Sequence, residues 1–348
     1  MHFAPLSGKL FGMTSRERFQ AIMEFKKPDR LPVVEWASWW DRTLERWHGE
    51  GLDPAIMDRY AICRHLGLEV YRQDWFRCIR PEGPEPASHG AGILDADDPE
   101  ASYENLRKDL YQIDDRWPVD PKTWGIWAKE QEKGESVIWF TVDGFFWFPR
   151  TLFGIENHLY AFYDYPELMH RINQDLADWI LRIIERVGTY CEPDFMTFAE
   201  DLSYNHGPML SEEMFDTFML PYYRQVIPRL KERGTRPFID SDGDVVRAAP
   251  WFWRAGIEGI LPLERQAGVD LAEIRKLTPE MRFIGHFDKM VMTEGEAAMR
   301  AEFERLLPLA REGGFIISVD HQTPPGVALD DYKLYLRIFH EYALLGGE

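Results

Sequence analysis

Two hydrophobic patterns alternate along the chain: short, nearly uninterrupted apolar runs, and longer segments with an apolar residue at every third or fourth position. The longer segments are typical of helices with one buried face. The clearest is Pro166–Val187, and residues 15–25 form another, with Thr14 or Ser15 as its N-cap. The same spacing predicts further helices over residues 245–255, 271–277, 295–311 and 331–344.

The apolar runs predict strands, of which residues 136–142 form the clearest. The other predicted strands lie at 31–36, 70–78, 195–198, 237–239, 259–263, 282–285 and 315–319. A helical stretch capped by Ser211 contains Pro221 and Pro228. We expect these prolines to break or kink it, because proline lacks the N–H that a helix interior requires.

Strands followed by helices imply a parallel sheet with crossover helices. Eight such repeats predict an α/β fold, a single-domain (β/α)8 TIM barrel, with a doubly wound open sheet as the alternative. No glycine-rich phosphate-binding motif follows any predicted strand, which weighs against a nucleotide-binding open sheet. Residues 1–30 are predicted to form an N-terminal helical extension, and residues from about 80 to 135 an aromatic-rich insertion.

The charge balance excludes several classes of partner. The 348 residues include 59 acidic and 40 basic side chains, a formal charge of −19. Nucleic acids and anionic membranes attract basic surfaces, so neither is an expected partner. No apolar stretch approaches a membrane span, and the first residues lack a signal-peptide pattern. Three cysteines without a paired motif are consistent with free thiols, and we expect a cytoplasmic protein.

Acidic residues and histidines follow most of the predicted strands directly. In a barrel, the carboxyl ends of all strands open onto one face, which holds the active site. A ring of such side chains would therefore converge on one mouth. They are Glu35, Asp143, Glu200, Asp201, Asp240, Asp242, Glu264, His286, Asp320 and His321. Turns and helix caps also favour acidic residues, which is the structural alternative for any single one.

The strongest cluster is Asp240-Ser241-Asp242-Gly243-Asp244, with three acids in five residues. Asp240 and Asp242 would point to the same side if the strand continues through them. Together with Asp320 or His321 from the last strand, they form a predicted metal site. Oxygen and imidazole ligands suit zinc, manganese, iron, magnesium or nickel, so the spacing indicates a divalent metal without choosing among them.

Four residues are candidates for proton transfer: His321, His286, Glu264 and Asp201. Histidine changes charge near neutral pH, and a strand-end carboxyl group can act as a general acid or base. A buried structural role is the alternative for each histidine.

Aromatic residues cluster after two of the predicted strands, around Trp36, Trp39 and Trp147. Core packing explains most aromatic residues, but these three could also form the wall of a substrate pocket. Arg150 and Arg265 could bind a substrate carboxylate, with surface pairing as the alternative.

Several of these segments resemble one family. The opening 13–19 with 28–33, the segments 200–202 and 207–211, Asp240–Gly243 and the ending 319–325 resemble the uroporphyrinogen decarboxylase superfamily. The segments from 200 onward resemble its cobamide-dependent methyltransferase branch. The resemblance covers nearly the whole chain, and it implies a (β/α)8 barrel with the active site at its carboxyl-terminal mouth.

The sequence lacks residues that are typical of both main activities of that superfamily. True decarboxylases carry arginines after the first strand to hold the substrate carboxylates, whereas this chain has Arg42 as the only basic residue in its corresponding segment. The methyltransferases bind zinc through a His-x-Cys pair and a later cysteine. Here the matching positions carry Asp240, Asp242 and Asp320, and no cysteine follows Cys191.

The resemblance therefore implies an enzyme, with a metal-assisted methyltransferase as the leading hypothesis. It would act between a small methylated substrate and a corrinoid protein, and would use a divalent metal, zinc or another. Decarboxylation of uroporphyrinogen or another carboxylic acid is the alternative. A non-catalytic barrel that binds a ligand through its acidic mouth is the second alternative.

Overall fold

The computed structural model describes residues 12–88 and 90–347. The chain divides into two compact units. The first comprises Met1–Arg72, Lys129–Val137 and Ile260–Glu348, and the second comprises Gln73–Ala128 and Ile138–Gly259. The single domain, and the insertion at about 80–135, stay predictions. The first eleven residues of the predicted N-terminal extension lie outside the described residues.

Helices and strands alternate through the described residues. The helices are α1 (Ser15–Met23), α2 (Asp41–Gly49), α3 (Arg59–His65), α4 (Pro99–Leu106), α5 (Pro121–Glu132), α6 (Trp147–Phe153), α7 (Ile155–Asp164), α8 (Pro166–Val187), α9 (Glu212–Phe218), α10 (Leu220–Glu232), α11 (Ala249–Ala255), α12 (Leu271–Leu277), α13 (Glu296–Arg311) and α14 (Leu329–Gly346). The strands are β1 (Val70–Phe76), β2 (Ser136–Asp143), β3 (Phe195–Ala199), β4 (Ser203–Tyr204), β5 (Gly207–Pro208), β6 (Arg236–Ser241), β7 (Gly259–Pro262), β8 (Arg282–Phe287) and β9 (Phe315–Val319). Short 3₁₀ turns lie at Arg265–Ala267 and Lys289–Thr293.

The described residues form an α/β fold, and seven of these strands belong to one sheet. In the second unit the strand order is β1-β2-β3-β6, and in the first it is β7-β8-β9. The pairs β2–β3, β3–β6 and β8–β9 are parallel, as the alternating pattern predicts. The sheet has seven strands among the described residues, so the eight-stranded closed barrel stays a prediction. None of the described helices is long and apolar enough to cross a membrane.

The predicted strand at 31–36 is wrong, because the backbone hydrogen bonds of this segment go to different elements and do not form a ladder with one neighbouring strand. Leu31 N donates to the carbonyl of Ala343 in α14, and the carbonyl of Val33 accepts from Glu69 N. Trp36 N donates to the Ser318 side chain instead of to a main-chain carbonyl. The segment is apolar because it is buried, which is a property that extended coil and strands share.

Local chemistry explains where α1 begins. Glu17 N donates to Thr14 Oγ1 at 3.2 Å, and Thr14 N donates to the Glu17 carboxylate at 2.7 Å. This reciprocal pair is a capping box, which satisfies two N–H groups at the start of the helix. Thr14 is therefore the N-cap, one of the two residues that the sequence indicated.

The predicted α8 is confirmed over Pro166–Val187, with its periodic apolar residues buried. The stretch after Ser211 breaks at Met219, which separates α9 from α10, and Pro221 lies in the first turn of α10. The helix does not break at Pro228, which lies inside α10, and a kink there stays a prediction. Pro228 is on the exposed face, where the carbonyl that loses its hydrogen bond remains accessible to solvent.

Candidate active site

The second unit places acidic side chains at the carboxyl ends of three neighbouring strands. Asp143 at the end of β2 is in register with Ala199 of β3, and Ala199 is in register with Asp240 of β6. Glu200 follows β3 directly, and its backbone N–H donates to the Asp240 carbonyl at 2.8 Å. Parallel strands thus bring these residues to one edge, which we call the carboxyl edge: Asp143, Glu200, Asp201, Asp240 and Asp242.

Glu200 is fully buried and holds the turn between β2 and α6. Its carboxylate accepts three backbone N–H groups, from Phe145 at 2.8 Å, Phe146 at 2.7 Å and Trp147 at 3.3 Å. The Tyr223 hydroxyl donates to the same group. Burial raises the pKa of Glu200 to about 7, against these hydrogen bonds, which lower it.

Gly144 makes this arrangement possible. A Cβ atom at this position would collide with the carboxylate of Glu200. Only glycine therefore allows the turn to close over the acid, and a side chain there would displace Glu200 from its donors.

Asp201, Asp240 and Asp242 form an acidic cluster at the carboxyl edge. Asp201 has a positive φ of 39°, and its Oδ1 accepts the backbone N–H of Asp242 at 3.1 Å. Burial raises the pKa of Asp240 well above its ordinary value, and the carboxylates of Asp201 and Asp242 raise it further. The Asp240 side chain is half-buried, and its carboxyl group has no hydrogen-bond partner among residues 12–88 and 90–347. The site thus favours the protonated acid at Asp240.

Asp143 is the third acid of the carboxyl edge with a raised pKa. Burial raises its pKa to about 6, while the Arg77 charge and a hydrogen bond from Trp75 Nε1, at 3.1 Å, lower it. Titratable groups with raised pKa values cluster at functional sites, so the carboxyl edge is a candidate for acid–base chemistry.

Arg150 and Trp147 lie one helical turn apart on α6. The Arg150 guanidinium carbon lies 4.1 Å from the centre of the Trp147 ring, a cation–π contact. One of its nitrogens donates to the Asp201 carbonyl at 3.3 Å. Both side chains are half-buried, so Trp147, one of the predicted pocket-wall residues, keeps surface available for a ligand.

In the first unit, Asp320 is fully buried and engaged with cationic and backbone donors. Its carboxylate accepts Lys289 Nζ at 3.1 Å and the backbone N–H groups of Arg265 at 3.0 Å and Lys289 at 3.3 Å. Burial raises the pKa of Asp320, whereas the Lys289 charge lowers it. The Arg265 guanidinium donates to the Val269 carbonyl at 2.7 Å. These contacts give Asp320 and Arg265 protein partners in place of the predicted ligands.

His286 is fully buried and uses both ring nitrogens. Nδ1 lies 2.9 Å from the Leu263 carbonyl, and Nε2 lies 3.1 Å from a guanidinium nitrogen of Arg305. Because arginine only donates, Nε2 accepts and Nδ1 carries the proton. Burial lowers the pKa of His286 to about 3, and the Arg305 charge adds to this. The neutral ring thus ties β8 to Leu263, the residue that follows β7, and the role of His286 in proton transfer stays a prediction.

The other predicted residues of the first unit are placed as follows. Glu264 precedes a 3₁₀ turn and is half-buried, as is His321, which follows Asp320. Trp36 is 9% exposed, and its Nε1 donates to the Val319 carbonyl at 2.7 Å. Trp39 is 4% exposed and packs against the rings of Trp47 and Tyr332, which leaves almost none of its surface to a ligand.

The predicted metal ligands are divided between the units: Asp240 and Asp242 belong to the second, and Asp320 to the first. Over the part of the chain that the structure describes, no group of three or more His, Cys, Asp or Glu side chains is arranged to hold a metal ion. The described donors therefore do not fit the predicted metal site, which stays a prediction.

Tyr223 was not among the predicted site residues, whereas Glu200 was one of the strand-end acids and Arg150 was a candidate for binding a carboxylate. Glu200 had a signal, because it directly follows a strand and Gly144 follows another. The Arg150–Trp147 spacing of three residues was also readable as a helical pair once α6 was recognised. Tyr223 had none, because nothing near it in the sequence indicates that α10 would place its hydroxyl against Glu200.

The carboxyl edge of a parallel sheet, lined by titratable side chains, is the usual place of the active site in α/β enzymes. A family model for uroporphyrinogen decarboxylase (URO-D) matches residues 149–342, more than half of the chain. The chain belongs to the uroporphyrinogen decarboxylase family.

The chain is also similar to one protein in sequence and to another in fold. A uroporphyrinogen decarboxylase from Crocosphaera subtropica is 26% identical over 316 residues, which cover 80% of this chain and 85% of that protein. A structure described as a methyltransferase from Methanosarcina mazei superposes with a TM-score of 0.66 at 16% identity. The match covers 95% of this chain and 99% of that one, and it shows a shared fold.

Proposed function

We propose that this protein is a methyltransferase that moves a methyl group from a small methylated substrate to a corrinoid protein. The observation that carries the proposal is the composition of the carboxyl edge, where five acidic residues outnumber the two arginines that act on them, Arg77 and Arg150. Such an edge repels a substrate with many carboxylates and accepts a neutral or singly charged one. The shared fold with a methyltransferase is consistent with this choice.

Asp240 is the proposed general acid. When the bond between the methyl carbon and its heteroatom breaks, the electron pair stays on the heteroatom, which takes the proton of Asp240. A corrinoid carried by a partner protein, when bound, would supply the electron pair that accepts the methyl group. The neighbouring carboxylates of Asp201 and Asp242 keep Asp240 protonated before the step, because a second and third negative charge there would be costly.

This mechanism routes no step through a metal ion. The predicted ligands Asp240, Asp242 and Asp320 are not part of a three-residue metal-binding group within the described ranges, and Asp320 accepts Lys289. Asp201 is assigned here to tuning Asp240, and Glu264 and His321 remain candidates for moving protons in the first unit.

Decarboxylation is the second candidate, and the 26% identity to a uroporphyrinogen decarboxylase is the observation that favours it. In that reaction the carbon–carbon bond to the carboxylate breaks, carbon dioxide leaves, and the carbon takes a proton. Asp240 could donate that proton as well, so Asp240 alone does not separate the two reactions. The scarcity of arginine at the carboxyl edge favours methyl transfer.

A non-catalytic role would leave the strand-end acids capped or paired. Glu200 fits that description, since four donors surround its carboxylate. Asp240 does not, because no hydrogen bond to its half-buried carboxyl group is found among the described residues. This contrast supports an enzyme.

The test compares wild type with Asp240→Asn, with the exposed Asp109→Asn as the matched control. Methyl donors (methanol, methoxybenzene, trimethylamine and dimethyl sulfide) are offered with reduced cobalamin, and methylcobalamin formation is followed by its absorbance. We expect Asp240→Asn to lower kcat by about 100-fold or more, the usual contribution of a general acid, with Asp109→Asn unchanged. Equal rates in all three proteins would contradict the role of Asp240.

A further inference from the structure

Trp75, near the end of β1, is an exposed aromatic residue that a buried acid holds in place. Trp75 is 39% exposed, whereas Asp143 at the end of β2 is 6% exposed. The indole Nε1 of Trp75 donates a hydrogen bond of 3.1 Å to Asp143 Oδ1. The Arg77 guanidinium carbon lies 5.0 Å from the centre of the Trp75 ring, a cation–π contact that restrains the ring further. Single exposed aromatic side chains are common on proteins, whereas one that two neighbours fix is a pre-formed surface for a ligand.

The buried carboxyl group of Asp143 is not explained by stability. Within residues 12–88 and 90–347, Trp75 Nε1 is the one hydrogen-bond donor to this carboxyl group. Water could serve an exposed indole N–H equally well, so the bond adds little to stability. An apolar residue at position 143 would avoid burying an acid. Departures of this kind are expected at functional sites, and what the pair provides is a fixed indole ring.

Trp75 lies on the same face of the sheet as Asp240, the proposed general acid. Its contact with Asp143 places the indole on the face to which the Asp143 side chain points. Asp143 is in register with Ala199, and Ala199 with Asp240, and residues in register on parallel strands point to the same face. Three strand spacings separate Trp75 from Asp240, about 14 Å on a flat sheet. A small substrate on this face could therefore contact both side chains.

We propose that Trp75 contacts the substrate, stacking its indole against a flat ring so that the reactive heteroatom lies towards Asp240. As a statement about the substrate this rests on the proposed function, which it deepens by naming the substrate class: a small compound with its methylated heteroatom on a flat, unsaturated ring. Two flat rings gain energy from offset-stacked or edge-to-face contacts, which a saturated ring does not make to the same degree. Because the indole is already held, little conformational entropy is lost when the ring binds. Asp143 acts through Trp75 and is a positioning residue.

The experiment compares the binding of phenol and cyclohexanol, which share a hydroxyl group and nearly the same size and differ in whether the ring is flat. Both affinities are measured by calorimetry on the purified protein. We expect wild type to bind phenol about threefold to tenfold more tightly than cyclohexanol, the contribution of an aromatic pair. Trp75→Leu should abolish this preference. Trp253→Leu is the matched control, because Trp253 on α11 is similarly exposed, at 37%, and it should keep the wild-type preference.

The positioning role of Asp143 is tested through the same ratio of affinities. Asp143→Asn keeps an oxygen that can accept the indole N–H, whereas Asp143→Leu removes the acceptor. We expect the asparagine variant to keep the preference for phenol and the leucine variant to reduce it. A purely structural role would change thermal stability without changing the ratio, so an unchanged ratio in folded Asp143→Leu would overturn the positioning role.

The absence of a preference for phenol in wild type, or the same preference in wild type and folded Trp75→Leu, would overturn the proposal. Thermal unfolding of each variant shows whether it is folded, and Trp75→Gln takes the place of Trp75→Leu if the leucine variant is not. Because binding is measured without any methyl acceptor, a preference that depends on Trp75 in a protein that transfers no methyl group would sustain the ring contact and refute only the proposed function.

Discussion

Glu35 offers a quantitative test of the described packing, because its carboxyl group is buried and has no salt bridge within residues 12–88 and 90–347. It is 3% exposed, and Tyr335 donates a hydrogen bond of 2.9 Å to its Oε1. Burial raises the pKa of Glu35 to about 8, although Tyr335, Tyr332 and the charge of Arg59 oppose this. Replacing it by glutamine keeps the shape and the acceptor and removes the ionisation.

The sign of the effect follows from the two pKa values. The folded pKa of about 8 lies above the ordinary value of 4.5, so between these pH values the folded protein holds a proton that the unfolded chain releases. This contribution to stability is fully present below pH 4.5 and is lost as the pH rises towards 8. The limiting slope is about 1.4 kcal/mol per pH unit, and with partial relaxation we expect a loss of about 1 to 3 kcal/mol between pH 5 and pH 7.5.

The assay is urea unfolding of wild type and Glu35→Gln at pH 5, 6, 7 and 8. Groups common to both proteins cancel in the difference between their free energies of unfolding. We expect the free energy of unfolding of Glu35→Gln to rise steadily relative to that of wild type as the pH rises. Glu45→Gln, at an exposed position of α2, should follow wild type throughout. A difference between wild type and Glu35→Gln that stays constant within about 0.5 kcal/mol over this range would refute the reasoning.

Two further predictions concern buried groups near the strand ends. Glu200→Ala leaves the three N–H groups of the β2–α6 turn without their acceptor, so we expect a loss of about 3 kcal/mol or more in urea unfolding, and unchanged stability would contradict the turn geometry. The pKa of His286 is about 3 in the folded protein, below its ordinary value of 6.5. The contribution of His286 to stability is therefore fully present above pH 6.5 and is lost as the pH falls from 6.5 towards 3. An NMR titration should therefore show no protonation of His286 down to pH 5 in the folded protein, and a midpoint near 6.5 would contradict the buried, doubly bonded ring.

The sequence predicts helices and strands best where local pattern and burial coincide. The apolar face of α8 is continuous for six turns, so periodicity alone located it. Residues 31–36 have the same apolar character as a strand, yet their backbone hydrogen-bond partners are Glu69, Ser318 and Ala343. Those partners are distant in the chain, and no local pattern encodes them.

For the candidate site, the sequence likewise predicts the positions of residues better than their roles. The acids that directly follow a strand in the sequence lie together at the carboxyl edge, because parallel strands align their carboxyl ends. What each acid does depends on partners distant in the sequence: Lys289 for Asp320, Tyr223 for Glu200, and Asp201 for Asp240. The chemistry of a buried acid follows from these neighbours, which only the tertiary structure supplies.

The central question is whether the protein catalyses methyl transfer or decarboxylation. One pair of reactions tests it most directly. Purified protein is incubated with the methyl-donor series and reduced cobalamin, and in parallel with uroporphyrinogen. The account predicts methylcobalamin from at least one donor and no coproporphyrinogen above the uncatalysed background. Conversion of uroporphyrinogen at an enzymatic rate, with no methyl transfer from any donor, would contradict it.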